Sequence, residues 1–148
     1  MLDDLNDLYQ QVILDHSRNP RHFGKLPEAT HSAQGRNPLC GDELTLYLKI
    51  NDGRVEAVSF EGSGCAISRA SASLLTETLQ GRPVEEVRGL FEEMHKLVTH
   101  GRSEKPLPEK LAVFAGVHKF PSRVKCAILP WHTALAALDN RKEPITTE

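Results

Sequence analysis

Residues 43–60 read as a β-hairpin, and that hairpin dictates much of what the chain can build. Leu44, Leu46, Leu48 and Ile50 alternate with Glu43, Thr45, Tyr47 and Lys49, the period of a strand with one buried face. Asn51-Asp52-Gly53 follows, a turn sequence in which glycine adopts positive φ at no steric cost. Residues 55–60 form the returning strand. Its apolar positions switch parity between Ala57 and Val58, which marks a bulge or burial on both faces. Opposed positions of an antiparallel pair are equidistant from the turn centre. The midpoint between Cys40 and Cys65 falls between Asp52 and Gly53, so the two cysteines should emerge side by side at the open end, with Asp42 beside them. A bulge shifts this register by one residue without separating the pair.

The remaining segments are mostly helical. Residues 2–17 form an amphipathic helix, with Leu5, Leu8, Val12 and His16 on one stripe and Tyr9 and Ile13 beside it. Asn19-Pro20 ends it, because a residue preceding proline is pushed out of the α region. The polar stretch 30–36 is a candidate edge strand. Residues 66–79 carry small side chains on one face, with Gly81 placed as a C′ residue. Pro83 starts a helix with Val84, Val87, Leu90, Phe91, Met94, Leu97 and Val98 at helical spacing. A polar connection (101–108) and a short helix around 111–116 lead to a last helix capped by Ser122 and ending near Asp139. The expected architecture is α+β: a small three-stranded antiparallel sheet with helices packed on one face. Residues 1–140 should form a single domain, followed by a frayed polar tail over 141–148.

Composition removes several function classes. A chain of 148 residues has a core without help from disulfides or metal. Lys and Arg total 18 against 20 Asp and Glu, so the basic excess of a nucleic-acid binder is missing. The apolar runs fall well short of the about 20 residues of a membrane helix. Met1-Leu2-Asp3-Asp4 is acidic and is not followed by a signal-peptide core, so the expected location is the cytoplasm, where thiols stay reduced. Three cysteines, an odd number, argue against a disulfide framework. Two readings remain: inert buried thiols, or a metal or reactive site.

Local sequence favours chemistry at these thiols. Cys40-Gly41-Asp42 puts a thiol and a carboxylate two residues apart across a permissive glycine. Gly62-Ser63-Gly64 delivers Cys65 to a helix N-terminus, where free N–H groups favour the thiolate. Pro130 removes the N–H that would bond the Cys126 carbonyl, at a cost of about 3 kcal/mol in a helix interior. The regular helix is therefore expected to start close to Cys126, with a longer, kinked helix as the alternative. Three thiolates and one carboxylate suit a four-coordinate site, and thiolates suit zinc, Cu(I) and iron–sulfur clusters. Spacing alone does not separate this site from three isolated core cysteines. The histidines lack ligand spacing, and only His118 and His132 fall nearer the third cysteine. Trp131 is either core or an anchor for a partner.

Across nearly its whole length the chain resembles the U-type iron–sulfur assembly family (IscU and the NifU N-terminal domain), and specifically its SufU branch. The resemblance rests on Leu8-Tyr9-Gln10-Gln11-Val12-Ile13-Leu14-Asp15-His16, Asn19-Pro20-Arg21, Asn37-Pro38-Leu39-Cys40-Gly41-Asp42, Gly62-Ser63-Gly64-Cys65-Ala66-Ile67-Ser68 and Arg123-Val124-Lys125-Cys126. Lys125 stands where the IscU branch has a histidine, and the segment around 100–120 resembles the SufU insertion. The IscU chaperone motif is replaced by Phe120-Pro121-Ser122-Arg123-Val124-Lys125, so that partner is not carried over. Pro130 departs from both branches.

The resemblance implies an α+β fold of the SufU/IscU type and a zinc ion held by Cys40, Asp42, Cys65 and Cys126. It implies a sulfurtransferase-like relay in iron–sulfur cluster biogenesis. A cysteine desulfurase that uses pyridoxal phosphate (SufS-like) would dock. Cys40, released in a ligand exchange, would take its persulfide sulfur for downstream assembly machinery or apo-proteins. The alternative is a non-enzymatic scaffold holding a [2Fe–2S] cluster on the same residues.

Overall fold

A computed structural model describes residues 2–147, with side chains described from Asp7 to Thr147. Helix α1 (Leu2–Arg18) is followed by strands β1 (His31–Asn37), β2 (Asp42–Asn51) and β3 (Arg54–Ser63). Helices α2 (Ala66–Leu79) and α3 (Val84–His100), a 3₁₀ segment (Glu109–Lys119), helix α4 (Pro121–Leu138) and strand β4 (Ile145–Thr146) complete the chain. Among the described residues, no helix is long and apolar enough to cross a membrane.

The hairpin forms as its alternation requires. Leu44, Leu46 and Leu48 point into the core while Glu43 faces solvent. The register slips between Lys49 and Ile50: Ile50 opposes Val55, but Lys49 opposes Ala57. Glu56 is thus the extra residue of a bulge. It lets Val55, Val58 and Phe60 all reach the core and accounts for the parity switch in the sequence. Beyond the bulge the register is moved by one position, so the two cysteine arms stay adjacent at the open end.

The sheet order is β3-β2-β1-β4, four strands and not three. The fourth comes from the stretch expected to fray. Asn140 adopts a left-handed φ of 53° and the Arg141 N–H bonds the Ala136 carbonyl. The chain then turns back to lay β4 parallel to β1, with Gly35 opposite Ile145 and Arg36 opposite Thr146. A two-residue strand is too short to carry a periodic pattern, which is why the sequence shows none there.

Helices α2 and α4 pack on each other and on the sheet, α2 against β3 and α4 against β1 and β2, while α1 packs on α2 and α3 on α4. The small-residue face of α2 serves this packing: Ala70, Ser71, Ala72 and Ser73 are all buried, and Ser71 Oγ donates to the Ala127 carbonyl of α4 at 2.5 Å. Gly35 lets α4 approach β1 closely, because a Cβ there would lie 2.1 Å from Thr133 Oγ1. Trp131 is core, 1% exposed. On α1 the stripe is narrower than expected. Tyr9, Val12 and Ile13 pack against the core and His16 is buried, its Nδ1 2.7 Å from Ser73 Oγ, but Leu8 is exposed. Leu5 lies outside the described side chains.

Two helix starts differ from expectation. Pro83 is the N-cap of α3 and not its first residue. In α4, Phe120 occupies the N-cap, Pro121 is the first helical residue and Ser122 caps nothing. Proline is favoured at that position because its φ is already helical and its missing N–H has no partner there. Cys126 consequently sits in the second turn of a longer helix that contains Pro130. The single ladder bond lost there is outweighed by burial of Ile128, Leu129 and Trp131, each worth about 1.5–3 kcal/mol. The short helix expected around 111–116 is the 3₁₀ segment, burying Leu111, Val113, Phe114 and Val117.

Candidate metal centre

Three chain segments meet at the open end of the hairpin. The first is the turn from β1 to β2. Asn37, fully buried, accepts the Leu39 N–H on its Oδ1 at 3.1 Å and the Cys40 N–H on its carbonyl oxygen at 3.1 Å. Gly41 turns with φ 72°, a value that favours glycine. Cys40 is thereby presented to solvent. Asp42, the first residue of β2, points inward and is 1% exposed.

The second segment joins β3 to α2. Cys65 is the N-cap of α2, and the Ser68 N–H donates to its sulfur at 3.4 Å. The cap sulfur takes the role usually played by a serine or aspartate oxygen. Asp42 Oδ1 accepts the Cys65 N–H at 2.8 Å, and Asp42 Oδ2 lies 3.9 Å from Cys65 Sγ. Gly64 leaves room for this carboxylate, since a Cβ would stand 2.7 Å from Asp42 Oδ1. The third segment is α4, which brings in Cys126, buried with 4% of its surface exposed. The donor atoms of Cys40, Asp42 and Cys126 all lie within 4.8 Å of one another.

The thiols interact strongly. Cys65 is held well below the ordinary thiol range, first by a hydrogen bond from the Cys126 thiol and then by the Ser68 N–H, against the effect of burial. Cys126 is pushed up for the complementary reason: it keeps the proton that it shares with Cys65, and it is buried. The pair therefore favours a thiolate at Cys65. Beside it sits the buried carboxyl of Asp42, which makes no ion pair with a lysine, arginine or histidine among the described residues. A soft divalent cation suits this donor set, because thiolates dominate it.

Of the four residues singled out in the sequence, Cys40, Asp42 and Cys126 share the 4.8 Å cluster; Cys65 is not in that group but lies beside it, its sulfur 3.9 Å from Asp42 Oδ2. His118 and His132 are not part of the cluster. His118 Nδ1 bonds the Ala115 carbonyl, and the His132 ring packs edge-on against Phe91 with burial lowering its pKa. Arg123 lies over the exposed Phe120 ring at 4.2 Å. Asn37 and Ser68 also build the site; the sequence motifs contain both without assigning them a role. Both carried a signal: Asn-Pro is a turn initiator, and Ser68 stands three residues after Cys65, the capping distance.

Residues 8–127 match the profile of the NifU-like N terminal domain. The chain belongs to this family. It is 41% identical over 137 residues to the iron–sulfur cluster assembly scaffold protein IscU of Thermotoga maritima, covering 93% of this chain and 96% of that one. It is 38% identical over 133 residues to the zinc-dependent sulfurtransferase SufU of Bacillus subtilis, covering 86% and 87%. A crystal structure from Fervidobacterium islandicum, described as an iron–sulfur cluster assembly scaffold protein for the SUF system, superposes with a TM-score of 0.81 at 33% identity, covering 86% of this chain and 94% of that one. These NifU-like relatives carry two different functional names at nearly equal identity. The choice between them falls to the chemistry of the cluster.

Proposed function

We propose that this chain is a zinc-dependent sulfur acceptor in iron–sulfur cluster biogenesis, working in the cytoplasm with a cysteine desulfurase that uses pyridoxal phosphate (SufS-like). Cys40, Asp42, Cys65 and Cys126 would hold the zinc, and Cys40 would take the sulfur. The observation that carries this reading is the graded exposure of one clustered thiol set: Cys40 is exposed, Cys65 intermediate and Cys126 buried. Only Cys40 is presented for attack on a partner's persulfide, and its loop turns on Gly41.

Bound zinc would keep the thiols deprotonated and order the three segments. The Cys40 thiolate attacks the terminal sulfur of the desulfurase Cys–S–S⁻ group. A new S–S bond forms on Cys40 and the old one breaks, its electron pair leaving with the desulfurase cysteine, so no external oxidant is consumed. Asp42, fixed by the Cys65 N–H, holds its place as Cys40 swings out. Its hard oxygen also makes the set less suited to a soft cluster than three thiolates and a fourth sulfur would be.

The name of the T. maritima relative favours a second reading, in which a [2Fe–2S] cluster is cargo assembled on the same residues and handed to apo-proteins. One experiment separates the two: sulfur transfer from the desulfurase to zinc-loaded and to metal-free chain. The zinc-loaded protein should be colourless, accept sulfur and speed desulfurase turnover, with the metal-free protein well below it. Equal acceptance by both, or a brown protein containing labile sulfide, would contradict the relay.

A further inference from the structure

The C-terminal segment does more than add a strand to the sheet edge. Past β4, the Thr147 N–H donates to the Arg36 carbonyl at 3.3 Å, and its Oγ1 donates to the Lys125 carbonyl at 3.2 Å. These two carbonyls occupy telling places. Arg36 O belongs to the peptide unit leading into Asn37, whose own carbonyl and side chain hold the Cys40 and Leu39 N–H groups. Lys125 O belongs to the peptide unit that carries Cys126. Ile145 anchors the segment by packing against the core, and Thr147 is itself half-buried.

We propose that Thr147 is a positioning residue: it ties the Cys40 loop to the Cys126 helix, and so sets how readily the thiol cluster opens and releases its metal. The proposal rests on the zinc-centre reading above. The two arms come from elements far apart in sequence, and their sulfurs must stay within a few ångströms for common coordination. The β1–α4 packing fixes the bodies of these elements. Thr147 fixes the peptide unit leading into Asn37, on which the Cys40 turn is built, with its backbone, and the peptide unit that carries Cys126 with its hydroxyl. Neither bond reaches a sulfur, so the chemistry of the thiols is untouched and only their mutual placement depends on it.

The test compares Thr147→Val, which keeps the shape and the N–H but loses the hydroxyl, with Thr147→Ser, which restores it. The full chain is loaded with zinc and challenged with excess chromophoric chelator. The Co(II)-substituted protein is followed by its thiolate-to-cobalt absorption, and the metal-free protein by amide exchange at Cys126 and Leu129. Loss of one intramolecular hydrogen bond predicts about five-fold faster zinc release in Thr147→Val. A shifted cobalt band and faster exchange at the two amides should accompany it. Thr147→Ser should behave as the parent on all three. Parent-like behaviour of Thr147→Val, or a serine variant as fast as the valine one, would overturn the proposal. A parent chain that gives no thiolate–cobalt band would instead defeat the zinc reading, and exchange in the metal-free protein would still decide the tie.

Discussion

Replacing Cys40 by alanine should abolish sulfur uptake from the desulfurase. The expectation follows from reach. Cys126 is buried behind the other two segments, and Cys65 is engaged by the Ser68 N–H at the α2 N-cap and by Asp42. Cys126 meets no partner surface without unpacking α4, and Cys65 is only partly exposed. Cys40 lies on a solvent-facing turn whose conformation is set by Asn37 and Gly41, so its loss removes the acceptor and leaves the other two arms in place. Mass analysis of the chain after incubation with desulfurase and cysteine should show an added sulfur on the parent and none on Cys40→Ala. A persulfide of similar yield on the variant would assign the acceptor role to another thiol.

Gly62→Ala should be among the most damaging single substitutions in the chain. Gly62 has φ 138°, a backbone conformation that side chains disfavour, and an added Cβ would stand 2.1 Å from the Glu43 carbonyl oxygen and 2.7 Å from the Leu44 Cα. Both obstacles are backbone atoms of the neighbouring strand, which cannot swing aside as a side chain can. Strain of this kind costs about 1–3 kcal/mol before the clash is counted, and relief of the clash requires β3 to part from β2. The expected loss is about 3 kcal/mol or more in urea denaturation, with weakened metal retention, because Gly62 leads directly into Gly64 and Cys65. Gly89→Ala provides the contrast: a Cβ there meets nothing within 4 Å, and in the interior of α3 alanine should be neutral or better. Similar stability of the two variants would show that the β3 end is not constrained as described.

Much of the site was legible because a hairpin is a ruler. The alternation of residues 43–50 and the Asn51-Asp52-Gly53 turn set a register that brings Cys40, Asp42 and Cys65 to one end, and the bulge at Glu56 moves that register by a single position. Cys126 is different. Its place depends on α4 lying across β1 and β2, a tertiary relation that rests on the bare backbone of Gly35 beneath Thr133. No local pattern states that relation, and only the family resemblance supplied it. The start of α4 follows the alternative of a longer helix through Pro130, because the burial of Ile128, Leu129 and Trp131 that favours it is a tertiary effect. The exposed Leu8 and the partner strand made by Ile145 and Thr146 likewise depend on what packs where, which short periodicities do not encode.

The coordination itself is open to direct observation. X-ray absorption at the zinc edge of the loaded protein should show a four-coordinate centre with three sulfurs at about 2.3 Å and one light atom at about 2.0–2.2 Å. In Asp42→Ala the light-atom distance should change and zinc should be held less tightly. A shell dominated by nitrogen or oxygen, or one unaltered by loss of Asp42, would contradict the assignment of Cys40, Asp42, Cys65 and Cys126 as a single zinc site.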